Sequence, residues 1–220
     1  MTIEKARYWA ENMPELSKND RQWLNNPVIM QGVGLAPMVV AATSGYTALV
    51  LAVAVAVMLT PTRVAGAVLR KALGEQYDRF AVLCYALPAA LCYIAAYFLV
   101  RHLWGPSALQ QVGVYLPLLV FEPLIIRRYR AAVPEGPARA LRRGLYTTVG
   151  YLVVLLGVGL ARELLAQGSL MGVQLLEVQL FPLAAQPAGG FMLLGAVCAA
   201  WRGRVRAFKR NIYQEVERNK

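Results

Sequence analysis

The stretch "QGVGLAPMVV", residues 31–40, interrupts a long apolar run with two glycines and a proline. Proline removes a backbone donor and clashes with the preceding turn, so a helix that enters this stretch must break or bend. The surrounding chain is equally apolar, with 58% hydrophobic residues and a mean hydropathy of +0.45. A chain of 220 residues with this composition has more apolar surface than one soluble core can bury. The sequence therefore predicts a membrane protein with an interrupted helix near its start.

Six apolar segments approach the roughly 20 residues that a helix needs to cross a bilayer. They are residues 27–43, 46–61, 79–102, 108–126, 144–166 and 180–201. The first is broken at Pro37, and the fourth contains Pro117 and Pro123, so we expect both to be kinked or discontinuous. The residues before the first segment carry charges of both signs and lack the apolar core of a signal peptide, so this span should stay in the mature protein.

The lysines and arginines predict the orientation. The N-terminal arm, the second loop, the fourth loop and the C-terminal tail hold 21 of them, and the other loops hold only Arg101 and Arg162. Because such residues concentrate in cytoplasmic loops, both termini should be cytoplasmic and the number of spans even. The net charge of +11 then requires no nucleic acid. The basic tail could be an RNA-binding arm, but a basic amphipathic segment directly after a span is more typical of contact with anionic lipids.

The two broken segments resemble each other. Residues 31–40 read "QGVGLAPMVV" and residues 111–120 read "QVGVYLPLLV". Each half has three spans, counting the broken one, and because three is odd the second copy must enter from the opposite side. We therefore predict an all-α integral membrane fold of six transmembrane helices, arranged as two inverted three-helix repeats with helices 1 and 4 broken. Chance similarity between two apolar, glycine-bearing segments is the alternative.

These predictions divide the chain into three parts. They are a cytoplasmic N-terminal arm at 1–26, a membrane domain at 27–201 with repeats 27–102 and 108–201, and a basic cytoplasmic tail at 202–220. The stretch 167–190 between the last two spans contains apolar runs too short to cross a bilayer. It is expected to lie flat on the membrane or to dip into it.

Three stretches resemble one family of membrane proteins. They are "NNPVIMQGVGLAP" (25–37), "GVYLPLLVFEPLIIRRYRA" (113–131) and "GLARELLAQGSLMG" (159–172). The chain looks like the homologous membrane subunits of the Rnf electron-transport complex and of the sodium-pumping NADH:quinone reductase, Nqr. The most specific match is "RELLAQGS" (162–169), which fits that family's R-E-x-x-x-x-G-[ST] pattern. The leading "NNP" and the cytoplasmic N-terminus favour the branch that comprises the E subunit of Rnf and the D subunit of Nqr.

The resemblance implies partners and a cofactor. It implies a subunit of a cation-pumping redox complex in the bacterial cytoplasmic membrane, paired with a sister six-span subunit similar to the A subunit of Rnf. In this family, thiolates on the two broken helices and two more from the sister subunit hold a [2Fe-2S] cluster. Here the corresponding positions are Ala36 and Pro123, and neither residue can bind iron. The family's cluster is therefore predicted to be absent.

The chain's own three cysteines do not replace those ligands. Cys84 and Cys92 are eight residues apart on one predicted helix, which is about 12 Å of rise and too far to chelate one iron. Cys198 lies near the end of the sixth segment. All three are better interpreted as small apolar core residues.

Ionisable residues at membrane depth are the remaining candidates for function. Glu122 precedes Pro123 in the broken fourth segment, where free carbonyls could join its carboxylate around a cation or a proton; the alternative is an interfacial ion pair with the basic loop. Arg162 and Glu163 are expected to form inter-helix ion pairs that hold the repeat interface. Together with Gly34, Pro37 and Pro117 at the breaks, these residues are the candidate ion-path or structural positions.

Motifs of soluble enzymes are absent. The sequence contains no P-loop, no G-x-G-x-x-G after a strand and no H-E-x-x-H, and His102 is its single histidine. The resulting hypothesis is a non-catalytic scaffold or ion-path subunit of an Rnf-like translocating ferredoxin/NAD oxidoreductase. A free-standing transporter of unknown substrate that reuses the inverted-repeat fold is the alternative, and a structural paralogue without transport is the third.

Overall fold

The computed structural model describes residues 3–20, 22–32, 34–74, 81–112, 115–118 and 136–218. Most of these residues are helical, and the described β-structure is one very small hairpin. The helices are α1 (Ile3–Asn19), α2 (Pro27–Gln31), a π-helix (Pro37–Ala41), α3 (Gly45–Leu73), α4 (Ala81–Val112), α5 (Tyr115–Leu118), α6 (Pro137–Gln167), a 3₁₀-helix (Pro182–Ala185) and α7 (Pro187–Arg218). The strands β1 (Ser169–Leu170) and β2 (Val173–Gln174) pair antiparallel.

Helix α3 lies at the centre and packs against α4 on one side and α6 on the other. It runs antiparallel to α6, because Ala48 near its start lies against Gly159 and Thr60 lies against Thr148. A methyl group at Gly159 would collide with the Ala48 side chain, so glycine allows the two helices to approach closely here. Further along, the Thr60 and Thr148 hydroxyls share a buried hydrogen bond of 2.8 Å.

Three of the described helices are long and apolar enough to cross a membrane. They are Gly45–Leu73, Val82–Val112 and Pro137–Gln167, that is, α3, most of α4 and α6. The all-helical membrane character predicted from the composition is therefore confirmed, whereas six spans and an inverted repeat stay predictions. Large apolar side chains on α4, such as Leu87, Leu91 and Phe98, are exposed in the isolated chain. Such faces are expected of helices surrounded by lipid or by another membrane chain.

The helix boundaries differ from those predicted by hydropathy. Helix α3 continues to Leu73 instead of ending near residue 61, because good helix formers follow its apolar part. Helix α4 covers most of the third segment and the first residues of the fourth, and a kink at Gly105, with φ 78° and ψ −178°, separates these two parts. The predicted basic tail at 202–220 begins within α7, which runs without interruption from Pro187 to Arg218, and its separation from the membrane domain stays a prediction.

The predicted break in the first apolar segment is present. The Asn26 side chain accepts hydrogen bonds from the Val28 and Ile29 amides and thereby caps the start of α2. The helix ends after one turn at Gly32, which is in the left-handed conformation with φ 64°. A five-residue π-helix then begins at Pro37, and its wide hydrogen bond joins the Ala42 amide to the Pro37 carbonyl at 3.1 Å.

The two ends of the chain pack together. Trp201 donates its indole N–H to the Trp23 carbonyl at 3.1 Å, and the two rings lie 4.7 Å apart. The Lys209 ammonium donates to the Ser17 hydroxyl at 3.1 Å. The N-terminal arm and the C-terminal part of α7 therefore form one unit beside the helical core, with a small apolar cluster of Met13, Leu24, Val205 and Ile212.

Candidate functional site

The site is built around the side chain of Arg162, which is fully buried in the last turns of α6. Its Nε donates to the Ala184 carbonyl at 2.9 Å, and one terminal nitrogen donates to the Val39 and Ala42 carbonyls at 2.6 and 2.9 Å. Longer contacts of 3.3 Å reach the Met38, Ala185 and Gln186 carbonyls. Five N–H groups are thus shared among six carbonyl oxygens, so this charge is solvated by backbone instead of water.

These carbonyls belong to the C-terminal ends of two short helices. Those of Met38, Val39 and Ala42 end the π-helix, and those of Ala184 to Gln186 end the 3₁₀-helix. The last carbonyls of a helix have no partner within it and carry partial negative charge, so a cation placed against them is favourable. Arg162 therefore joins the broken first helix to the loop that precedes α7.

The neighbouring Glu163, also buried, binds backbone amides. One carboxylate oxygen accepts from the Gly45 amide at 2.7 Å, and the other accepts from the Gly172 amide at 2.8 Å and the Ser169 hydroxyl at 3.1 Å. Gly45 is the first residue of α3, where free amides and partial positive charge favour a carboxylate. Glu163 thereby connects the start of α3 to the small hairpin.

The prediction of inter-helix ion pairs for Arg162 and Glu163 is therefore corrected. Apart from Ser169, the hydrogen-bond partners that the described residues offer these two side chains are main-chain carbonyls and amides. Backbone groups at helix ends can match a buried charge as well as an opposite side chain does, and every residue type provides them.

The four specific positions of the "RELLAQGS" stretch act as one unit. Besides the two charged residues, Gly168 ends α6 in the left-handed conformation with φ 69°, and its carbonyl accepts from the Leu175 and Leu176 amides at 2.9 Å. Ser169 follows and donates to Glu163. The glycine thus turns the chain, and the serine completes the carboxylate's set of partners.

Gly190 packs closely against the guanidinium group of Arg162. A methyl group at Gly190 of α7 would lie 2.9 Å from the Val39 carbonyl oxygen and 3.0 Å from the guanidinium carbon of Arg162. Glycine at this position therefore brings α7 directly onto the end of the π-helix. The hydropathy pattern does not single out Gly190, and the paired glycines at 189 and 190 at the start of a helix are the signal that could have found it.

The remaining residues of the break are also positioned by α6. Gly34 has φ 76°, and its carbonyl accepts from the buried Tyr151 hydroxyl at 3.0 Å. Pro37 is buried and begins the π-helix, while the preceding Ala36 is exposed. Asn26 reaches α6 as well, donating from its amide nitrogen to the Gly150 carbonyl at 2.7 Å.

The second predicted break is described only in part. Pro117 lies in the short helix α5, whereas Glu122 and Pro123 lie outside the described residues. The cysteines are placed: Cys84 is buried on α4, and Cys92 and Cys198 pack against the apolar core. In the part of the chain that the structure describes, no three His, Cys, Asp or Glu side chains are grouped as a metal site.

In this arrangement the carbonyls solvate the Arg162 guanidinium, and two amides and the Ser169 hydroxyl hold the Glu163 carboxylate in place. The sequence itself is similar to a known family. The family described as "Rnf-Nqr subunit, membrane protein" matches residues 18–198.

Individual relatives carry one name. A protein of Pseudomonas paraeruginosa, named as the E subunit of an ion-translocating oxidoreductase complex, is 34% identical over 200 residues, covering 82% of this chain and 80% of the relative. A Pseudomonas aeruginosa protein of the same name is 32% identical over 209 residues, covering 86% and 84%. A Buchnera aphidicola protein, again of this name, is 24% identical over 219 residues, covering 90% and 93%.

Proposed function

Because this chain belongs to the Rnf-Nqr family of membrane subunits, we propose that it is part of an ion-translocating electron-transport complex in a bacterial cytoplasmic membrane. Its role in that complex is to hold a broken membrane helix in a fixed conformation at the surface facing its partner subunits. It does so without an iron-sulfur cluster of its own. The relatives named as the E subunit of such a complex support the assignment to a complex.

The proposed topology is six spans in two inverted repeats, 27–102 and 108–201, with a cytoplasmic arm and a cytoplasmic tail. The contact between the two ends of the chain supports an even number of spans, since Trp201 binds Trp23 and Lys209 binds Ser17. The concentration of 21 of 23 lysines and arginines in alternate loops supports the cytoplasmic side for both ends.

The residues present do not fit a [2Fe-2S] cluster. Such clusters are held by thiolates, and Ala36 at the first expected position has only a methyl group. Cys84 and Cys92 lie two turns apart on α4, with one buried and the other against the apolar core. No electron-transfer step is therefore assigned to this chain, and electrons must pass through other subunits.

One observation carries the proposed scaffold role. Ala36 is exposed directly beside the buried Pro37, and the π-helix that begins there is fixed by the carbonyl contacts of Arg162. The break thus presents a small, exposed side chain on a firmly held backbone, at the position where the family pairs its two membrane subunits. A sister six-span subunit is the partner that this surface fits.

Mass spectrometry of proteins that co-purify with the tagged chain from its native membranes in mild detergent tests the proposal. We expect a second six-span subunit and flavin or iron-sulfur subunits in stoichiometric amounts. Ala36→Trp should reduce their yield at least fivefold, because the bulky ring would separate the surfaces. Ala90→Trp, at an exposed alanine of α4, is the matched control and should leave the yield unchanged.

A chain that purifies alone or as a homo-oligomer would contradict the proposal and would favour the free-standing transporter. The ion-path component is tested separately at Glu122. We expect Glu122→Gln to lower cation transport by the intact complex in vesicles while the redox activity with an added uncoupler is retained. Unchanged transport would remove Glu122 from the ion path and leave the scaffold role.

A further inference from the structure

A polar cavity lies where the N-terminal end of α6 meets the turn before α2. It has a volume of about 340 Å³ and is lined by Asp20, Gln22, Arg142, Arg143 and Tyr146. It is separate from the Arg162 site, which is at the opposite end of α6. The scaffold role proposed above does not involve this cavity.

The lining of the cavity favours an anion. Two guanidinium groups, a phenol and a side-chain amide provide hydrogen-bond donors, against one carboxylate. That carboxylate is already engaged by its own turn, since Asp20 accepts from the Gln22 and Trp23 amides at 3.0 and 2.9 Å and from the Leu24 amide at 3.4 Å. Arginine binds phosphate with two parallel N–H donors, which suits a phosphate ester.

An apolar surface continues from the cavity along α6. Its large exposed side chains follow one another at intervals of four residues and therefore form a single ridge: Leu141, Leu145, Val149 and Val153. Arg142 and Tyr146 lie on the adjacent ridge, so the polar cavity and the apolar ridge are side by side. In a membrane helix this places the donors at the headgroup level and the ridge along the acyl chains.

Together these features match the two parts of a phospholipid. We propose that the cavity binds the phosphate of an anionic phospholipid, whose acyl chains lie along the deeper part of the ridge, from Leu145 to Val153. The site is distinct from the C-terminal tail, the segment that charge alone suggests for lipid contact, because part of that tail packs against α1. Arg142 is the principal ligand, because it lines the cavity and its side chain is exposed.

Native mass spectrometry of the full chain, titrated in neutral detergent with phosphatidylglycerol or phosphatidylcholine, tests this proposal. We expect the first phosphatidylglycerol to bind at least fivefold more tightly than the first phosphatidylcholine. Arg142→Gln should abolish this preference, and Tyr146→Phe should reduce it. Arg139→Gln removes the same charge from an exposed arginine one turn earlier that does not line the cavity, and it should retain the preference.

Three outcomes would overturn the proposal. The first is equal affinity for the two lipids, and the second is an equal effect of Arg139→Gln and Arg142→Gln. The third is displacement of bound phosphatidylglycerol by millimolar glycerol 3-phosphate, which would identify a site for a soluble phosphate. Because all substituted side chains are exposed, the variants are expected to fold, and none of these results depends on co-purification of a redox complex.

Discussion

Arg162 and Glu163 are adjacent in the sequence, yet their side chains bind opposite ends of one short connection. Arg162 binds the carbonyls that end the π-helix, up to Ala42, and Glu163 binds the Gly45 amide that begins α3. The positive side chain lies at a helix C-terminus and the negative one at a helix N-terminus, so each has the favourable sign. Two successive residues of α6 thus determine where the chain turns from the broken helix into the central one.

Replacing Arg162 should destabilise the protein strongly. Arg162→Lys keeps the charge but offers three donors from one point, which cannot reach two helix ends. We expect a loss of about 3 kcal/mol or more in the free energy of unfolding, as for other changes that leave buried polar groups without partners. The measurement is thermal unfolding in detergent. Arg101→Lys, at an exposed arginine of α4, should change stability by less than about 0.5 kcal/mol. Equal unfolding temperatures for the two variants would refute the structural role.

The carboxylate of Glu163 should control the opening of the hairpin. In Glu163→Gln one acceptor oxygen becomes an NH₂ group that faces N–H donors, so at least one of the Gly45 and Gly172 bonds is lost. We expect faster amide hydrogen exchange in peptides covering residues 44–48 and 168–174, measured by mass spectrometry, and a cost of about 1 to 3 kcal/mol. Glu177→Gln, at an exposed glutamate in the same connection between α6 and α7, is the control. Unaltered exchange in both peptides would argue against this role.

Gly34 and Gly32 allow backbone strain to be separated from steric collision. Both have positive φ, 76° and 64°, but a methyl group at Gly34 would collide with the Tyr151 ring, whereas one at Gly32 meets nothing within 4 Å. We expect Gly32→Ala to cost about 1 to 2 kcal/mol from the left-handed conformation alone. Gly34→Ala should cost clearly more, as followed by the unfolding temperature. If both substitutions have the same effect, the contact with Tyr151 does not constrain the break.

The link that the Asn26 side chain makes between the start of α2 and α6 can be tested by a substitution that replaces one side-chain heavy atom. Asn26→Asp keeps the oxygen that caps the Val28 and Ile29 amides but loses the N–H donated to the Gly150 carbonyl, and it places a carboxylate against that oxygen. We expect a loss of about 2 kcal/mol or more at neutral pH. Asn25→Asp is the matched control, because the Asn25 oxygen only accepts from Gln31 and a carboxylate does so equally well. Similar unfolding temperatures of the two variants would contradict the proposed link to α6.

The sequence predicts the break better than the contacts around it. Proline and glycine act through their own backbone, so Pro37 and Gly34 indicate an interruption without knowledge of the fold. The partners of Arg162 could not be predicted, because main-chain carbonyls are present at every position and only the tertiary fold selects the six that converge. The ion-pair prediction for Arg162 and Glu163 arises because a sequence shows which side chains carry opposite charges. It does not show which backbone carbonyls and amides will lie beside them.

Helix lengths show the same limit. Hydropathy marks only the part of a helix that is apolar, so it predicts an end of α3 near residue 61 although the helix continues through Arg63 and Arg70 to Leu73. The composition changes at Arg202, where the basic tail is predicted to begin, although the helix α7 itself continues through this residue to Arg218. The composition of a helix reflects whether its surroundings are apolar or aqueous, whereas its backbone hydrogen bonds determine the residue at which the helix ends.

The carbonyl partners of Arg162 also constrain biosynthesis. Those at residues 38–42 are made before α6, whereas those at residues 184–186 leave the ribosome after it. During translation the guanidinium can therefore reach only its carbonyl partners at residues 38–42, until the chain has been synthesised as far as Gln186. Truncation before this point should leave an intermediate whose arginine lacks the partners at residues 184–186, so synthesis of this loop completes the hydrogen bonding of Arg162.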